Sequence, residues 1–150
     1  FINNKGTRSV DSFLKALGHI MWNKVGMARN AKGLSEAIKE IAALREEFWK
    51  DVYVPGDAHE FNLELEKAGR VADFMELGQL IAMDALHRNE SCGGHLRTEY
   101  ETDEGEAMRN DEEYAYVAAW EYKGPDISQE QLHKEELEFK FIELKQRSYK

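Results

Sequence analysis

Residues 62–95 read NLELEKAGRVADFMELGQLIAMDALHRNESCGGH, and the fold turns on them. Asn62 is a good helix N-cap, and Glu64 and Glu66 fall in the first turn, where the helix dipole favours acids. Glu66, Arg70, Asp73 and Glu76 then trace a narrow polar stripe. From Leu77 to Met83 only Gln79 is polar. A helix that loses its polar face is buried on most sides. The spacing therefore predicts a long helix over 62–89, set in the middle of an assembly or against a neighbour outside this chain. Asn89-Glu90-Ser91-Cys92-Gly93-Gly94-His95 stops it. The two glycines permit backbone angles closed to other residues, and the reading favoured for them is a helix C-cap.

Upstream, Ser9 or Asp11 can cap a first helix. Val10, Phe13, Leu14, Leu17, Met21 and Val25 share one of its faces, and Gly26 with residues 29–33 ends it. A second helix is expected over 34–52. Its apolar stripe is Leu34, Ile38, Ile41, Leu44, Phe48 and Val52, and Glu36, Lys39, Glu40, Glu46 and Glu47 are its wet face. Residues 1–8 are polar and expected to be loose. Downstream, Lys123-Gly124-Pro125-Asp126 reads as a turn. Leu137, Phe139 and Phe141 alternate with Glu136, Glu138 and Lys140, which predicts a half-buried strand. The expected fold class is mainly α: a three-helix bundle, spectrin-repeat-like and up-down-up, with a C-terminal extension containing short β-strands. Residues 1–98 form the bundle, ending in the ESCGGH motif, and 99–150 form an extension packing on it.

A chain of 150 residues with 42% hydrophobic residues can build one real core. Its net charge of −9 argues against general affinity for nucleic acid or anionic membranes. A single cysteine excludes an internal disulfide. No apolar run approaches the roughly 18 residues of a membrane-spanning helix. The chain opens Phe1-Ile2-Asn3-Asn4 without Met and reads as a piece of a longer protein.

Several chemistries can be weighed in the motif. His87, Cys92 and His95 offer common zinc-ligand types, but there is no second Cys and no standard zinc spacing. Cys92 with His95 lacks a third group to orient a nucleophile and base. Ser91 to Gly94 resembles an anion-binding nest, yet it follows a helix rather than starting one and lacks Gly-x-Gly-x-x-Gly spacing. Arg88, Arg97 and Arg109 are suited to forked bonds with carboxylates. They are expected to pair partly with the acidic run 99–106 as surface ion pairs, and partly across a domain interface. Trp22, Trp49 and Trp120 are expected to be core or interface anchors. His19, His59 and His133 carry no pattern.

Arg88-x-Glu90-Ser91-x-Gly93-x-His95-x-Arg97, followed by an acidic run and Arg109-Asn110-Asp111-Glu112, resembles the C-terminal region of succinate dehydrogenase and fumarate reductase flavoprotein subunits. Asn62-Leu63-Glu64-Leu65-Glu66 opens the preceding helix as in that family, and Gln146-Arg147-Ser148-Tyr149-Lys150 looks like its ending. Cys92 stands where the commoner pattern has Arg.

The resemblance implies a parent oxidoreductase that interconverts succinate and fumarate, in electron transport and the tricarboxylic acid cycle. Its FAD lies in another part of the subunit, and electrons pass through an iron–sulfur subunit to quinone. The parent complex would be cytoplasmic and peripheral, on the cytoplasmic face of the inner membrane. This chain itself would carry no cofactor and no catalytic residue, and would insert into no membrane. Its partners would be the FAD-binding domain and the iron–sulfur subunit. Arg88, Glu90, Ser91, Gly93, Gly94, His95, Arg97 and Arg109 would be a structural motif at the domain interface. The alternatives are the helical domain of L-aspartate oxidase and a free-standing acidic helical interaction module.

Overall fold

A computed structural model describes residues 1–145, so the Gln146–Lys150 ending lies outside the described residues. The chain divides into two compact units, Phe1–His87 and Arg88–Lys150. The division expected from the sequence fell after residue 98, so the two descriptions differ in which side receives the motif.

The first unit holds β1 (Arg8–Ser9), α1 (Val10–Ile20), a π-helical turn (Met21–Val25), β2 (Ala28–Arg29), α2 (Ala31–Asp51), β3 (Val52–Tyr53) and α3 (Leu63–His87). Each long helix starts at a side-chain cap. Ser9 accepts from Ser12 N–H, Asn30 from Gly33 N–H at 2.8 Å, and Asn62 from Leu65 N–H at 3.0 Å. The Asn30 cap starts α2 three residues before the expected position 34, because the amide side chain of Asn30 satisfies an orphan N–H that the hydrophobic stripe does not reveal.

The bundle is up-down-up. Parallel pairing of Arg8 with Val52 sets the start of α1 beside the end of α2. Arg45 reaches Glu76 at 3.0 Å, and Gln79 Nε2 donates to the Ile38 carbonyl at 3.2 Å, so α3 runs back along α2. Lys67 joins Asp11 at 3.1 Å, so α3 starts beside the start of α1. The expected stripes supply the core: Val10, Phe13, Ile41, Phe48 and Val52 are fully buried, with Phe48 edge-on to Phe13 at 5.1 Å. Of the tryptophans expected as anchors, Trp22 at the π-turn is 84% exposed and Trp49 is 53% exposed.

Residues 1–8 are not loose. Thr7 N–H and Oγ1 donate to the Asp51 carboxylate, and Phe1 stacks on Trp49 with centroids 5.0 Å apart. Their polar side chains have fixed partners on α2, which composition alone does not show.

The second unit holds β4 (Leu96–Arg97), the short helix α4 (Asp111–Tyr114), β5 (Tyr116–Glu121), a 3-10 turn (Ile127–Gln129) and β6 (Gln131–Glu136). β5 and β6 are antiparallel, with Tyr116 opposite Glu136 and Glu121 opposite Gln131. The strand expected around Leu137 to Phe141 therefore lies earlier. Pairing runs out where β5 begins: the Leu137 N–H still donates to the Ala115 carbonyl, but α4 precedes it and leaves no extended partner for Phe139 or Phe141. Both are exposed.

Candidate functional site

α3 ends at His87, so Gly93 and Gly94 do not cap it. They form the tip of a two-residue turn instead. Cys92 N–H donates to the His95 carbonyl at 2.9 Å and His95 N–H to the Cys92 carbonyl at 3.0 Å. Gly93 takes φ +59°, the left-handed angle such a turn requires at its first central residue, while Gly94 does not. The C-cap reading placed the glycines correctly as a chain reversal but attached it to the wrong element.

Around that turn the motif closes on itself. Arg88 Nε donates to Glu90 Oε1 at 2.7 Å, and Arg88 Nη2 to the Tyr114 carbonyl at 3.0 Å. The second oxygen of Glu90 accepts the Asn110 N–H at 2.8 Å. Ser91 N–H donates to the Met108 carbonyl at 2.8 Å. Its hydroxyl accepts the Arg97 N–H at 2.9 Å and donates to the Arg97 carbonyl at 3.0 Å. His95 Nε2 donates to the Arg88 carbonyl at 2.9 Å, which puts the ring proton on Nε2. Arg97 Nε reaches Glu99 at 3.2 Å, and its guanidinium lies 5.4 Å from the centre of the Tyr100 ring.

Glu90, Ser91 and Arg97 are all at most 2% exposed. Arg97 is therefore not the surface ion pair expected of it; its stem and fork are enclosed, and only Glu99 reaches towards water. Arg109 stands apart in its side chain, which binds Asp111 at 2.6 Å and the Lys145 carbonyl at 3.2 Å. The hydrogen bond that Arg109 donates to Asp111 is the main cause of a guanidinium affinity for its proton above the ordinary arginine value. Its backbone neighbours Met108 and Asn110 receive Ser91 and serve Glu90.

Each of the three arginines thus pairs with an acid two residues on: Arg88–Glu90, Arg97–Glu99, Arg109–Asp111. In extended chain, residues i and i+2 share a face. This R-x-acid spacing was present in the sequence and would have found Glu99 and Asp111. Asn110 and Tyr114 contribute backbone atoms, which leave no signal in residue type.

Chemically, the hydrogen bonds of the arrangement hold a loop. Among the described residues no buried side-chain nitrogen or oxygen lacks a hydrogen-bond partner, and no group of three or more His, Cys, Asp or Glu is placed to hold a metal ion. Among the described residues, Ser9, Asn30 and Asn62 occupy the N-termini of the long helices, and both Glu90 oxygens are engaged.

The chain matches the family described as fumarate reductase flavoprotein C-terminal domain over residues 14–149. It belongs to that family. The fumarate reductase flavoprotein subunit of Helicobacter pylori is 32% identical over 136 residues, covering 87% of this chain and 18% of the relative. The fold is that of an E. coli quinol fumarate reductase chain, at TM-score 0.76 and 22% identity over 95% of this chain and 23% of the other. A Mycobacterium smegmatis Sdh1 structure gives TM-score 0.70 at 23% identity, over 88% and 21%. The chain thus spans less than a fifth of that curated relative and less than a quarter of those solved chains. Neither alternative, L-aspartate oxidase or a free-standing module, draws support from these flavoprotein matches. No helix among the described residues is long and apolar enough to cross a membrane.

Proposed function

We propose that this chain is the C-terminal helical part of a flavoprotein subunit that interconverts succinate and fumarate. The whole subunit carries FAD in a separate domain and passes electrons to quinone through an iron–sulfur subunit, in a complex peripheral to the cytoplasmic face of the inner membrane. The role of this chain is structural: it packs against the FAD-binding domain. The observation that carries the reading is the family match over residues 14–149, in a chain whose polar motif is engaged by its own groups.

Arg88, Glu90, Ser91, Gly93, Gly94, His95, Arg97 and Arg109 are the structural motif of that role. Their hydrogen bonds fix a loop whose outer surface is offered to the neighbouring domain. Residues 1–98 act as the bundle with its motif, and 99–150 as an extension packing on it. Limited proteolysis tests that division: first cleavage near 98–99 that leaves residues 1–98 as a stable fragment supports it, and first cleavage near 87–88, releasing the motif with the C-terminal part, counts against it.

The activity is tested on the full-length subunit. Flavin absorbance after purification, with succinate-dependent reduction of an artificial electron acceptor, is expected. The 150-residue chain alone is expected to show neither. A full-length subunit that folds without flavin would remove the proposal.

A further inference from the structure

The turn between α1 and α2 holds two large apolar side chains out in water. Trp22 is 84% exposed on the π-helical turn, and Met27, just past it, is 88% exposed. The turn that presents them is fixed by its own backbone contacts. Arg29 Nε donates to the Val25 and Gly26 carbonyls, each at 3.0 Å. A Cβ on Gly26 would lie 2.6 Å from the Trp22 carbonyl oxygen. Trp is enriched at binding hot spots, and a side chain carried on a fixed turn gives up little freedom on binding. The charge here also departs from that of the chain. From Ser12 to Ser35 the sequence carries Lys15, Lys24, Arg29 and Lys32 and no acid, although the net charge is −9. Lys24 is spent on Glu36 and Glu40. Lys15 and Lys32 are exposed and make no ion pair among the described residues.

The second unit offers the converse. Phe139, Lys140, Phe141, Ile142, Glu143 and Leu144 line a hollow of about 480 Å³. Phe141 is 96% exposed and Ile142 76%. No backbone group of residues 138–144 finds a backbone partner among the described residues. From Glu135 to Leu144 the sequence holds four acids and one lysine. Glu138 and Lys140 offset each other at 3.0 Å, and Glu143 lies 3.8 Å from Lys145. Glu135 and Glu136 are exposed and make no ion pair among the described residues.

A projecting indole flanked by cations and an aromatic-lined hollow flanked by acids are complementary in shape and in charge. Within one copy both stay exposed, so the chain does not satisfy them itself. We propose that the hollow at residues 139–144 receives Trp22 of a second copy of this chain, with Lys15 and Lys32 of one copy facing Glu135 and Glu136 of the other. The indole supplies the buried area, about 150–250 Å² for such a ring. The charges at the rim set register and speed of encounter more than affinity. Every copy carries both halves, so the contact closes reciprocally into a pair or repeats along an open run of copies. The proposal stands apart from the flavoprotein reading, since it needs neither flavin nor the neighbouring domain.

The test uses the full-length subunit with Phe141→p-benzoylphenylalanine, which keeps an aromatic ring in the hollow. Isotopically labelled and unlabelled copies are mixed, illuminated and digested for mass spectrometry. A crosslink from position 141 of one copy to the peptide carrying Trp22 or Met27 of the differently labelled copy is expected. A crosslink within one copy, to any other segment or subunit, or none at all would overturn the proposal. Sedimentation velocity over a concentration series is expected to show self-association, weakened at least about tenfold by Trp22→Ala. A protein that stays monomeric throughout, or an unweakened Trp22→Ala variant, would also overturn it. Lys15→Glu with Lys32→Glu should weaken association too, and adding Glu135→Lys with Glu136→Lys should restore it. Failure of that restoration in a folded protein removes the charge pairing from the proposal, and if the variants do not fold the crosslink decides alone.

Discussion

Gly93 sits at φ +59° with open space where a Cβ would go, so its constraint is purely conformational. A left-handed angle costs an L-residue roughly 1–2 kcal/mol, and β-branching adds strain. Gly93→Val is therefore expected to lower unfolding free energy by at least about 1 kcal/mol. Gly94→Ala, at ordinary angles and in open space, should stay within about 0.5 kcal/mol. Urea titration of both variants checks this, and equal losses would count against the turn geometry. Arg97 is governed by enclosure. At 2% exposure its removal takes out a packed stem together with its charge-assisted bonds. Arg97→Ala should cost about 2 kcal/mol or more in this chain, and a loss under about 1 kcal/mol would return Arg97 to the status of a surface pair.

At the scale of elements, the β5–β6 hairpin is a two-stranded sheet with few reserves. Glu121 at the end of β5 bonds Lys123 and, across the strands, His133 at 2.7 Å. These contacts, Lys123 first, hold its carboxyl below the ordinary glutamate value. A depressed carboxylate stabilises the fold above its unfolded-state value and loses that contribution as pH falls through the folded value. Amide-exchange protection at Ala118 and Ala119 should therefore fall on acidification below the carboxylate range, and the Glu121→Gln variant should lose that dependence. Protection equally pH-sensitive in the variant would assign the effect to another group. The elements also show what was legible. Asn62 and Ser9 announced their helices, because capping chemistry is local. Asn30 caps α2 by the same chemistry, four residues before the Leu34 that opens the stripe, but in the sequence it reads only as part of the stretch ending the first helix. The alternation at Leu137, Phe139 and Phe141 misled, because a strand needs a partner and α4 uses up the backbone that would provide one.

At the scale of the whole chain, the bundle was readable from periodicity, and the family from a motif whose residues have fixed spacing. Less readable was how far the motif's neighbours extend. Glu90 is served by Asn110, 20 residues on, through a backbone N–H that any residue but proline would supply. The same limit hid the N-terminal segment, whose role depends on Thr7 meeting Asp51, 44 residues away. Gly6 makes that meeting possible: a Cβ there would lie 2.2 Å from the Asp51 carbonyl oxygen.

That strap has a consequence for the order in which the molecule assembles. Closing so long a loop costs chain entropy, and the cost falls once α1 and α2 have already zipped together. Docking of residues 1–9 thus belongs after the rate-limiting barrier, where lost contacts accelerate unfolding and leave refolding alone. Gly6→Ala should steepen nothing in the refolding arm of a stopped-flow chevron, yet raise the unfolding arm throughout. Slowed refolding would instead make the N-terminal strap part of the nucleus.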